Sequence, residues 1–103
     1  MQLEVMERLV LLSILPREGN FTTLKLMRKL REELSFSEEE HKLLGFIQEG
    51  DRVKWNLQAK VEKDFEFGDV IREVIVNQLK KLDRENKLSD DSFTLYEKFI
   101  GGN

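Results

Sequence analysis

The stretch Phe46-Ile47-Gln48-Glu49-Gly50-Asp51-Arg52-Val53-Lys54-Trp55 carries the one clear hairpin signal in a chain otherwise patterned for helices. Gly50 at the first position of a two-residue loop suits a type II′ turn, whose twist matches that of the strands it joins. Closing that loop sets Phe46 opposite Trp55 and Gln48 opposite Val53 on one face. Ile47 then faces Lys54, and Glu49 faces Arg52, on the other. Such cross-strand pairs contribute roughly 0.2–1 kcal/mol each, so they set register more than stability. Two strands alone are marginal in water, and the Phe46/Trp55 face is therefore expected to be covered by the helices on either side.

Those helices follow from apolar spacing. Residues 3–15 read as a helix that is apolar around most of its circumference: Leu3, Met6, Val10 and Ile14 form one stripe, with Val5, Leu9 and Leu12 beside it and only Glu4, Glu7, Arg8 and Ser13 polar. A helix of this kind calls for burial on more than one side, either as the central core helix or within a subunit interface. Pro16 ends it. A second helix is predicted over 22–34, with Leu24, Met27, Leu30 and Leu34 inward and Lys25, Arg28, Lys29 and Arg31 on a basic outer surface. Ser37-Glu38-Glu39-Glu40 reads as a capping box opening a short third helix that stops at Gly45.

Beyond the hairpin, Val61, Phe65 and Phe67 share one parity, which predicts a third strand beside the other two. Asp69 is placed as N-cap of a fourth helix reaching residue 84, on which Ile71, Val74, Ile75, Gln78, Leu79 and Leu82 recur at helical spacing. Ser89-Asp90-Asp91 opens a fifth, with Phe93, Tyr96, Phe99 and Ile100 inward, and Gly101-Gly102-Asn103 reads as a fraying tail. The sum is one α+β domain spanning 1–103: three N-terminal helices, a small antiparallel hairpin or three-stranded sheet, and two C-terminal helices.

Composition narrows the function. With 17 basic and 20 acidic residues the net charge is −3, which offers no global attraction to a phosphate backbone or an anionic membrane. There are no cysteines, which removes disulfides, thiol catalysis and Cys-type zinc sites. Glu4 and Glu7 replace the cationic region that a signal peptide would carry, and the apolar run Leu9 to Leu15 is far shorter than the ~20 residues of a bilayer span. The expected location is the cytoplasm, without membrane association.

His41 is the only histidine. Glu38 and His41 stand at the Glu-x-x-His spacing of di-iron bundles, but such sites need a second copy of the motif, so no metal ligands are assigned. The paired carboxylates Glu32-Glu33, Glu38-Glu39-Glu40 and Asp90-Asp91 fall at helix ends or in polar segments, where solvated charge is the ordinary state. No glycine-rich phosphate loop or nucleophile elbow is present. The reading is accordingly non-enzymatic, with no catalytic residue and no cofactor.

Three helices followed by a hairpin is also the order of a winged helix, with Arg52 and Lys54 on the wing. Three glutamates at the start of the helix that would enter the groove argue against DNA as the partner. Association with protein fits the residues better. Val10 on the first helix, Trp55 with Arg52 and Lys54 on the hairpin, and Phe93 and Tyr96 near the C-terminus are the candidate partner-binding residues.

The strings Glu7-Arg8, Leu15-Pro16-Arg17-Glu18-Gly19-Asn20, Phe36-Ser37-Glu38-Glu39-Glu40, Val53-Lys54-Trp55-Asn56 and Leu95-Tyr96-Glu97-Lys98-Phe99 together resemble small uncharacterised proteins encoded by bacteriophages. That resemblance implies no reaction and no site residues. It implies a context in which such accessory proteins bind a host or viral protein, sometimes to block a defence system. The leading expectation is a protein-binding accessory or inhibitor, host-cytoplasmic if phage-encoded and able to self-associate. The alternatives are a winged-helix-like DNA binder and an oligomer that sequesters a small ligand.

Overall fold

The first helix begins later than its apolar run. Glu4 leaves the helical path with extended backbone, and its N–H donates to the Glu7 carboxylate at 2.8 Å, so α1 spans Val5–Ile14. The computed structural model describes residues 1–101. Gln2–Leu3, read from the sequence as the start of that helix, is instead a short strand, β1.

Local signals set the next elements. The Asn20 side chain accepts from the Thr23 N–H at 2.8 Å and opens α2, Phe21–Leu34. Ser37 and Glu40 form the reciprocal capping box of α3, Glu38–Leu44, which Gly45 closes at φ +58°. β2, Ile47–Glu49, and β3, Arg52–Lys54, then pair antiparallel with Ile47 opposite Lys54, Gln48 opposite Val53 and Glu49 opposite Arg52. Gly50 takes the positive φ of +58° that the first position of a II′ turn requires. The hairpin is in the register its sequence encodes.

The expected third strand forms but does not join the hairpin. β4, Lys63–Asp64, pairs antiparallel with β1, Gln2 opposite Asp64 and Leu3 opposite Lys63, giving two separate two-stranded sheets. The reason is burial. Phe65 and Leu3 both enter the main core, and joining their strands keeps them there, whereas all six strand residues of the hairpin are exposed. α4 spans Asp69–Arg84 with Gly68, not Asp69, as N-cap; Asp69 still lies in the first turn, where its charge is favourable. α5, Asp90–Tyr96, continues into a π-helical turn, Glu97–Gly101. Gly101 thus belongs to a helical turn and not to a tail; Gly102 and Asn103, expected to fray, lie outside the described residues.

Together these elements make an α+β fold. The core is built from Leu3, Leu11, Leu15, Met27, Leu30, Leu34, Phe65, Ile75, Leu79, Leu95 and Phe99. The first helix lies within it, packed on α2 and α5 as the core-helix reading expects. Its rotation differs from expectation: Leu11 is fully buried, while Val10 is half-buried against the cluster. α5 is also rolled, so that Leu95 and Ser92 are buried and Phe93, expected inward, faces solvent. Ser92 accounts for the roll, since its hydroxyl accepts from the Ser89 N–H at 3.0 Å and so faces the helix start. No helix among the described residues is long and apolar enough to cross a membrane.

Candidate functional site

α3 and the hairpin form an annex outside the leucine-rich core, and one side chain joins the two. Arg8, counted in the sequence among the polar residues of α1, is fully buried. Its Nη1 donates to Glu40 Oε2 at 2.6 Å, its Nε to the Leu34 carbonyl at 3.1 Å, and its Nη2 to the Ser35 carbonyl at 2.8 Å. Those carbonyls are at the C-terminal end of α2, where intrahelical partners run out and the helix dipole favours a cation. The guanidinium also lies 3.9 Å from the centroid of the Phe36 ring. One arginine therefore ties α1, the end of α2 and the start of α3 together.

Phe36 passes that anchor on to the hairpin. Its ring meets Phe46 edge-on at 5.0 Å; His41 packs on both at 6.3 and 5.4 Å; and Phe46 lies 6.1 Å from Trp55. Phe46 and Trp55 are half-buried under Phe36 and, from α3, His41, while Gln48 and Val53 on the same face stay exposed, so the expected cover by the flanking helices is only partial. A hydrogen bond from Asn56 N–H to the Leu44 carbonyl at 2.7 Å closes the base of the hairpin onto α3.

What the annex presents outward is apolar. Leu43, Ile47 and Leu57 are exposed, Leu57 by 80%, and Val53 is exposed on the opposite face of the ribbon from Ile47. Leu43, Ile47, Lys54 and Trp55 line a hollow of about 420 Å³, and Trp55 and Leu57 line a second of about 490 Å³ against the start of α1. Lys54 is paired with Glu49 across the ribbon at 2.8 Å, while Arg52 has no carboxylate partner among the described residues. Each strand of a two-stranded ribbon also keeps one edge of unpaired backbone groups.

Of the sequence-derived candidates, Trp55, Arg52 and Lys54 thus come together here. Phe93 and Tyr96 sit apart, on a hollow at the start of α5, and Val10 joins neither because it packs on the core. The exposed Leu43, Ile47 and Leu57 were missed by sequence reading, as was the Arg8–Glu40 link. An isolated leucine in a helix or loop carries no sign of whether its neighbours leave room to bury it. Among the described residues, no three His, Asp or Glu side chains converge as a metal site.

The second buried charge, Glu7, is 1% exposed and accepts from Lys98 Nζ at 2.7 Å; its Oε2 has no hydrogen-bond partner. Burial pushes its pKa up, but the Glu4 N–H and Lys98 outweigh that, and the carboxyl is held below its ordinary value of 4.5. Glu40 is lowered too, first by its hydrogen bond from Arg8. A depressed folded-state pKa adds stability that is present above the unfolded value and lost as pH falls through the folded one. Thermal unfolding is therefore expected to hold steady above pH 4.5 and weaken below it, less steeply in a Glu7→Gln, Glu40→Gln double variant. Equal acid sensitivity in that variant would place the loss in other carboxylates.

Comparison with protein-family models, with curated proteins and with solved structures finds no match to this chain.

Proposed function

We propose that this chain is a non-enzymatic protein-binding factor, an accessory or inhibitor, whose docking face is the α3–hairpin annex. The observation that carries the reading is the exposure of Leu43, Ile47 and Leu57 on a platform anchored by Trp55. Contiguous apolar groups on a firm base, rimmed by charge, are what a protein interface uses, and Trp and Arg are its usual anchors. Arg52 stands at the rim, and an extended partner segment can add to an open edge of the ribbon. The partner chemistry is an apolar segment with acidic flanks. In the phage context that the sequence resemblance implies, that segment belongs to a host or viral protein in the host cytoplasm. DNA binding ranks second: Glu38 and Glu39 face solvent at the first turn of α3 and would repel phosphates.

Affinity capture from a bacterial lysate, compared with an Ile47→Asp, Leu57→Asp double variant, tests this. Both sites are exposed, so the variant should keep its circular dichroism and melting temperature. A protein held by the parent and lost by the variant is the expected result. Equal capture by both, or capture by neither alongside a salt-sensitive shift of duplex DNA, would overturn it.

A further inference from the structure

α2 turns Met27, Leu30 and Leu34 into the core and leaves its opposite side uncovered. Along that side Phe21, Lys25, Arg28 and Glu32 follow one another at helical spacing, with Lys29 beside them and Arg17 reaching in from the preceding turn; together they line an open groove of about 700 Å³. Phe21 is 80% exposed. None of Arg17, Lys25, Arg28 or Lys29 is ion-paired among the described residues, whose ion pairs involve other side chains. In a chain of net charge −3, this is a concentration of unpaired cations around one bare phenyl ring.

The start of α5 has the opposite character. Ser89, Asp90, Phe93, Tyr96 and Glu97 line a hollow of about 470 Å³, with Asp91 exposed alongside. Phe93 is 60% exposed, and Asp90, Asp91 and Glu97 have no cationic partner among the described residues. One patch is an aromatic ring among free cations and the other an aromatic ring among free carboxylates.

We propose that these two patches meet between copies of this chain: the start of α5 of one molecule docks into the α2 groove of the next. Phe93 packs on Phe21, while Asp90, Asp91 and Glu97 face Lys25, Arg28 and Lys29. A long polyanion is the less suitable occupant, because Glu18, Glu32 and Glu33 flank the cations and would repel a phosphate chain running past them. A short helix start that ends within the groove meets only Glu32 of the three, against the cations Arg17, Lys25, Arg28 and Lys29. Exposed ion pairs add little singly, so the contact needs the two rings buried together and is weak and salt-sensitive. Because unlike patches join, a docked pair keeps one patch of each kind free, and assembly continues as a chain or closes as a ring. This surface is independent of the hairpin face, and either proposal can fail alone.

Light scattering over a range of protein concentrations, at low salt and at about 1 M salt where screening acts within roughly 3 Å, reads the proposal directly. The mass average should rise with concentration at low salt and fall back toward the monomer at high salt. Arg28→Glu and Phe93→Ala should each weaken association by about tenfold or more without moving the melting temperature, since both side chains are exposed. Mixed in equal amounts, the two variants should form pairs, because the Arg28→Glu copy keeps an intact α5 start and the Phe93→Ala copy an intact groove. A monomer at all concentrations, association indifferent to either substitution, or a mixture that stays monomeric would overturn the proposal. So would a monomer whose α2 groove instead retains a single-stranded oligonucleotide, lost in Arg28→Glu.

Discussion

Arg8→Ala is expected to destabilise the fold by roughly 3–5 kcal/mol, on the scale of breaking a buried ion pair. Arg8 is fully buried, although Glu40 is only partly so. Glu40 then loses its counter-charge, and the Leu34 and Ser35 carbonyls lose the donor that satisfies them at the end of α2. For a domain of this size that corresponds to a fall of more than about 12 °C in melting temperature. Arg8→Lys should recover only part of it, because an ammonium cannot reach Glu40 and both carbonyls at once and does not stack on Phe36 as a planar guanidinium does. An Arg8→Met, Glu40→Leu pair should recover more than Arg8→Ala but less than the parent, since the α2 carbonyls stay unmet. Denaturant unfolding of the four proteins measures this. A loss below about 1 kcal/mol in Arg8→Ala would mean that the annex does not depend on this link for its attachment.

Leu11→Ala should cost about 2–5 kcal/mol, the range for emptying a fully buried leucine site. Leu11 has no exposed surface and sits in the middle of α1, between α2 and α5, where rigid neighbours leave little scope for collapse. Val10→Ala, one residue earlier and only half-buried, should cost about 1 kcal/mol. The order of the two, read from urea midpoints at constant m-value, is the measurement that matters. If Val10→Ala proved the more damaging, α1 would present in solution the stripe its sequence favours, and Glu7 and Arg8 would not be inside.

The contrast between Val10 and Leu11 shows where sequence reading stops. Spacing of apolar residues located the five helices, because that period is local, and the starts of α3 and α5 are marked by Ser37 and Ser89. Asn20 reads in the sequence as turn, and at α4 the cap is Gly68, one residue before Asp69. The hairpin register was legible for the same reason, since a two-residue loop with Gly50 leaves only one pairing. On α1, however, apolar residues run almost all the way round, so the Leu3, Met6, Val10 and Ile14 stripe is only weakly preferred over its neighbours. Rotation was then settled by Arg8, whose donors match the open carbonyls of α2 and the Glu40 carboxylate. Partners 26 to 32 residues away leave no mark near residue 8.

The candidate docking face was legible in part. Trp55, Arg52 and Lys54 were visible because a hairpin fixes its own neighbours. Leu43 and Leu57 were not, because exposure depends on what packs nearby. Phe93 was placed inward from its helical spacing, yet the Ser89–Ser92 cap and the burial of Leu95 turned it out. β4 was legible as a strand, but its partner β1 lies some 60 residues away, and the choice between β1 and the hairpin was made by Phe65 and Leu3 entering a shared core.

By itself, then, the sequence determined what short-range forces determine: the helices, the caps at Ser37 and Ser89, the turn at Gly50-Asp51 and the register it imposes. Only the tertiary structure decided which face of α1 is inside, which strand β4 joins, and that two charged residues of the central helix are buried. Burial and ion pairing are properties of groups brought together across the chain, and their strength is set by an environment that exists only once the chain has folded.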